Sequence, residues 1–166
     1  MNALNESHAT IVRAAIEHPR PFLAPIMLLA HELSPTVPHA NNIAMANWID
    51  RLAQLHADAH NITRAQQAAQ GQVWFVARHE IDYLGEAFLN DTLIGATWIQ
   101  SMGRTTLMRA TEVLRIEREG QPPRVLLRAM SRWAFVDLAS RKPTAMPSAW
   151  QAWLDPLVSP IARSEA

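Results

Sequence analysis

The chain has 166 residues, 49 % of them apolar and 18 % charged, with 15 basic side chains balanced by 15 acidic ones. That size suits one domain burying roughly two-thirds of its unfolded surface, and a neutral balance without blocks of like charge speaks against an electrostatic nucleic-acid binder. The lack of cysteine excludes disulfides, thiolate metal sites and a cysteine nucleophile, and no apolar run reaches the about 18 residues of a membrane span.

Residues 1–22 contain Glu6, Glu17, His18, Pro19 and Pro21, which is wrong for the apolar core of a signal peptide. They read as an N-terminal extension, and a cytoplasmic address is expected. Within them residues 7–18 suit a short amphipathic helix with Ser7 as its cap and Ile11, Val12, Ala15 and Ile16 as its stripe. The two prolines end it. Residues 23–33 read as a first strand. The loop Ser34-Pro35-Thr36-Val37-Pro38 follows, since two prolines this close forbid regular helix or a central strand.

From Asn42 the period changes: Met45, Trp48, Leu52, Leu55, Ala59 and Ile62 recur at alternating spacings of 3 and 4, the mark of one helical face. Asn41 or Asn42 is placed to cap it, and Gly71 suits its exit. Strand-like segments then cover residues 73–83, 92–102, 105–119 and 124–138, joined by turns at Gly103-Arg104 and at Glu119-Gly120-Gln121-Pro122-Pro123. One strand, one long helix and four strands in meander predict an α+β domain over residues 23–147, with residues 148–166 as a tail. The six tryptophans serve as core or subunit-interface filler.

These segments resemble the hot-dog fold, in particular the acyl-CoA thioesterases of the 4-hydroxybenzoyl-CoA thioesterase-like group. The likeness is carried by His39-Ala40-Asn41-Asn42 before the long helix with Trp48 inside it, by residues 78–84, by Ala87-Phe88-Leu89-Asn90-Asp91, and by residues 133–138 with Arg141-Lys142-Pro143 and Met146-Pro147. The resemblance implies an antiparallel sheet wrapped around one long central helix. It also implies hydrolysis of an acyl-CoA or acyl carrier protein thioester without metal or bound cofactor, and a homodimer or dimer of dimers with sites between subunits. In common members a carboxylate lies four residues before the position of His39; here that residue is Pro35.

Thioester hydrolysis needs an activated water and donors aimed at the developing oxyanion. The amides of Ala40, Asn41 and Asn42 open the helix and are candidate donors. His39 is the candidate base, Asn42 a group to orient water or hold the turn, and Asp82 the first replacement for the missing carboxylate, ahead of Glu32 and Asp50. The acyl chain is expected near Met45 and Trp48. Arg141 and Lys142 lead Arg104, Arg128 and Arg132 as partners for the phosphates of coenzyme A. His56 and His60 share a helix face but lack further ligand-type partners, so they read as a solvated or interface face and no metal site is expected.

Two other readings accompany the thioesterase. A non-catalytic acyl-thioester-binding or accessory protein fits Pro35. A hydratase fits less well, because neither its D-x-x-x-x-H element nor an H-F-P motif is present.

Overall fold

A computed structural model describes residues 4–150. Helix α1 (Glu6–Ala15) is followed by β1 (Phe22–Ile26), the long helix α2 (Asn42–Asp58), a short α3 (Arg64–Ala69), and the strands β2 (Gln72–Tyr83), β3 (Leu93–Met102), β4 (Thr106–Arg115) and β5 (Arg124–Asp137). The five strands form one antiparallel sheet in the order β1-β3-β4-β5-β2. This corrects the four-strand meander: β3, β4 and β5 are joined by hairpins, but β2 lies beyond β5, at the opposite edge from β1.

The first strand is also shorter than its apolar run. After Ile26 the chain leaves the sheet and makes a 3-10 turn over Ala30–Glu32, where the Glu32 carboxylate accepts the Leu29 N–H at 2.8 Å. That local cap competes with continued strand pairing. Helix α1 is capped by Asn5, whose Oδ1 accepts from the Ser7 N–H at 2.9 Å, so Ser7 is inside the helix and not its cap.

Two apolar layers sandwich the sheet. On one face α2 buries Met45, Trp48, Ile49 and Leu52 against Ile26, Leu93, Val113, Leu127 and Ala129. On the other, Val12 of α1 and Ile16 just after it pack on Ile94, Ala96, Trp98, Ala110 and Leu114. Leu93 to Ile99 of β3 are consequently buried without interruption, which is why this strand reads as an apolar run rather than as an alternation.

The approach of α2 to β3 is set at Gly95. A Cβ there would stand 2.4 and 2.6 Å from the two methyls of Leu52 and 3.0 Å from Ile26 Cδ1. Both neighbours are buried, so neither methyl can swing away. Replacing Gly95 by Ala should therefore lower unfolding stability by about 1–3 kcal/mol, the usual cost of overpacking, as read from urea titrations. A fully neutral effect would mean that the helix is free to ride up off the sheet.

Candidate functional site

The start of α2 is built by the segment before it. Leu33 and Ala40 face each other in an isolated bridge, and His39 is bridged to Phe88 of the β2–β3 connection. Asn41 then holds the corner with both ends of its amide: Oδ1 accepts the Ala44 N–H at 2.9 Å, and Nδ2 donates to the Leu33 carbonyl at 3.4 Å. Asn41 is thus the cap, and it also does the turn-holding expected of Asn42.

This arrangement decides which amides are available. The Ala40 N–H donates to the Ala87 carbonyl at 2.8 Å and the Asn41 N–H to the Glu32 carbonyl at 2.9 Å. Neither can serve as an oxyanion donor, contrary to expectation, because the bridging loop consumes them. The N–H groups of Asn42 and Ile43 have no partner among the described residues. They are the first two amides of a helix, and the helix dipole adds partial positive charge there.

His39 stands beside them, with 26 % of its side chain exposed and its Nδ1 3.9 Å from a carboxylate oxygen of Glu86. Glu86 has no periodic signal in the sequence because it lies in the connection after β2; its one mark is a carboxylate immediately after Gly85, where the strand has ended. The Tyr83 hydroxyl donates to the Asn42 carbonyl at 3.5 Å. Around this corner Val37, Ile43, Leu84, Phe88 and Leu89 are exposed, with Ile43 at 74 %.

Other expected members are elsewhere. Asp82 is exposed and pairs in register with Arg128, whose guanidinium binds Glu112 at 2.8 Å. Its neighbour Ile81 packs toward α2, so strand alternation turns Asp82 to the opposite face of the sheet. Met45 and Trp48, at 3 % and 2 % exposure, are core residues and offer no open surface to an acyl chain. Arg141 and Lys142 follow the end of β5 that pairs with Gln72, whereas the helix start lies by Tyr83 at the other end of β2. The twelve residues of β2, about 35 Å from end to end, separate the two within one chain. Glu32 is occupied by its own turn, and Asp50 is half-exposed and paired with Arg64 at 2.6 Å. A further polar pair, His79 Nδ1 and Ser131 Oγ at 2.7 Å, has its serine wholly buried, so no substrate reaches that hydroxyl.

His56 and His60 do not share a helix face: α2 ends at Asp58, and His60 lies in the turn beyond it. His56 is 1 % exposed, stacks on Phe22 at 5.0 Å and meets Arg109 Nη1 through its Nδ1 at 2.9 Å. Burial, with the positive charge of Arg109 and then the neighbouring His60 and His18, pushes its pKa from 6.5 down to about 2. Among the described residues no cluster of three metal-ligating side chains occurs, and no helix is long and apolar enough to cross a membrane.

The sequence model of the Thioesterase-like superfamily matches residues 37–154. Among solved structures, a 1,4-dihydroxy-2-naphthoyl-CoA thioesterase from Synechocystis superposes with a TM-score of 0.72 at 13 % identity, over 82 % of this chain and 96 % of that one. A hypothetical protein from Staphylococcus aureus solved in complex with CoA gives 0.73 at 10 % identity, over 82 % of each chain. A DHNA-CoA thioesterase from the same species gives 0.70 at 13 %, over 82 % of this chain and 87 % of that one. At such identities the likeness establishes the hot-dog fold and no more. No curated protein matches the chain.

The neutral, buried His56 makes stability depend on pH. Its folded pKa lies below the unfolded value, so under pH 6.5 the unfolded chain binds the proton that the folded one refuses, and stability falls as pH falls. Between pH 7 and pH 5 this amounts to about 2 kcal/mol. His56→Gln keeps an acceptor for Arg109 without the titration, and its urea-derived stability should decline less over that range by about this amount. Parallel curves would show that other groups carry the acid sensitivity.

Proposed function

Since the chain belongs to the Thioesterase-like superfamily, we propose that it hydrolyses the thioester of an acyl-CoA or acyl carrier protein at the start of α2. The observation that carries this reading is the pair of unpartnered amides, Asn42 N–H and Ile43 N–H, beside a part-exposed histidine. A thioester carbonyl oxygen lodged on the two amides would be polarised there, and the charge that forms when water adds would meet donors already in place. His39 would take the proton of the attacking water and return it to the departing thiolate. Glu86, 3.9 Å from Nδ1, would orient the imidazole in place of the carboxylate missing at Pro35. The atoms balance: water adds across the C–S bond, giving a carboxylic acid and a free thiol.

No metal or cofactor takes part in this scheme; coenzyme A or carrier protein enters only as part of the substrate. The exposed apolar rim of Ile43, Leu84, Phe88 and Leu89 would receive either the acyl group or a second copy of the chain. The outer edge of β2, with Phe75 and Val76 exposed, supports a homodimer or dimer of dimers. In such an assembly Arg141 and Lys142 of one copy could serve the other's substrate phosphates. A cysteine-free chain is at ease in the cytoplasm.

Pro35 favours a second reading, in which the protein binds acyl thioesters without cleaving them. Thiol release from acyl-CoA and acyl carrier protein panels separates the two: turnover above background supports the enzyme, and saturable binding with none supports the binder. For the enzyme, His39→Ala should lower kcat at least 100-fold with Tm nearly unchanged, and an unaltered kcat would remove His39 from the scheme.

The amides can be tested directly. Asn42 is the first helical residue, and the extended Asn41 before it (φ −73, ψ 161) already has the backbone a following proline demands. Asn42→Pro should therefore delete one N–H with the helix intact and reduce kcat by about 10²–10³. Asn42→Ala retains the amide and should stay within about threefold of the parent, a small change beside that donor loss.

A further inference from the structure

A second polar centre lies at the far end of α2. His56 is fourteen residues beyond Asn42, about 21 Å along the helix axis, and tightly packed Ile49 and Leu52 fill the space between. There α2, α3 and the sheet enclose a cleft lined by Trp74, Trp133, Trp150, Arg109, His56 and Gln67, among others. It leaves about 50 Å³ to the centre of a water-sized sphere, several times what one water needs. Among the described residues it is partly open to solvent.

The buried, unpartnered side-chain atoms of this lining are all donors. Arg109, 6 % exposed, donates through Nη1 to His56 Nδ1 at 2.9 Å and to Thr97 Oγ1 at 3.2 Å, and has no carboxylate partner among the described residues. Its Nε and Nη2 make no hydrogen bond among those residues. A guanidinium can only donate, so His56 Nδ1 is the acceptor and the neutral ring carries its proton on Nε2. That Nε2, Gln67 Nε2 and Trp133 Nε1 are the fully buried side-chain atoms of the lining without a partner among the described residues. All three are donors. Buried donors left unmatched are costly, and a buried cation without a counter-charge is costlier still. Asp58 and Arg64 also line the cleft, and among the described residues Asp58 forms no ion pair with Arg109.

We propose that this cleft is a binding site for a small carboxylate with a short apolar tail. Its two oxygens accept from Arg109 and from the orphan N–H groups, and its tail lies among the tryptophan rings. A carboxylate supplies the missing counter-charge and up to about four lone-pair acceptors. The three indoles favour a carbon-bearing anion over a bare inorganic one. The site is separate from the α2 start, and its existence does not depend on the thioesterase reading.

The test is a titration of the intact protein with butyrate, followed by tryptophan fluorescence and calorimetry, with 1-butanol as the uncharged comparison and chloride as the bare anion. Butyrate should saturate, at least tenfold more tightly than butanol or chloride. Arg109→Gln should weaken it at least tenfold. Gln67→Leu and Trp133→Phe, which each delete one donor, should weaken it about three- to tenfold; if Arg109→Gln does not fold, these two decide. His39→Ala should leave butyrate binding unchanged, which distinguishes the cleft from the α2 start. No saturation by about 100 mM, a concentration ceiling for the weakest specific ligands, or equal affinity for butanol, or donor variants that bind like the parent, would overturn the proposal.

Discussion

The contact between Leu52 and Gly95 governs the rest of the architecture. It lets the Leu52 side chain of α2 rest directly on the β3 backbone, with no side chain rising from Gly95 to hold it off, and it does so in the most deeply buried strand of the sheet. With α2 fixed in height, the residues one turn either side, Trp48 and Ile49 above and His56 below, meet the sheet at defined positions. A helix held in this way is a rigid support, and its two ends become places rather than fraying termini.

The two ends are finished differently. At the start, the cap side chain of Asn41 satisfies a single amide, and the loop behind it uses the two amides that precede the helix proper. What remains is a pair of adjacent donors facing outward. Toward the other end, β4 brings a buried cation under the helix, and the available neighbours supply neutral acceptors only. One end therefore presents partial charge from the backbone, the other a full charge from a side chain. Ile49 and Leu52 are apolar and completely enclosed, so they insulate the one from the other.

Much of this was legible in the residues. The alternating spacing from Met45 gave α2 its place, and turn chemistry at Gly103-Arg104 and around Gly120 bounded the last strands within a few residues. Three features were not legible, for separate reasons. The run 23–33 is apolar throughout, yet only five residues pair, because Glu32 folds back on the backbone; an apolar run does not state where pairing stops. The place of β2 beyond β5 depends on contacts between distant segments, which local patterns do not encode. The burial of His56 beside Arg109 needed two elements 53 residues apart, and either residue alone looks solvent-facing.

The candidate site was legible in part for the same reason. His39 and the helix start are local features of one stretch of chain, so sequence placed them together. Asp82 was misplaced because its face depends on which neighbours in β2 point inward, and Ile81, not Asp82, makes that choice. Glu86 became visible only when the bridge from His39 to Phe88 brought its connection alongside.

The two margins of the sheet are unequal. Along β1 the margin is five residues long and contains Pro25, which has no N–H to offer another strand; along β2 it is twelve residues and bears exposed Phe75 and Val76. Were two copies to join β2 to β2, only the proline-bearing margins would be left outward, and Pro25 offers no N–H to a further strand.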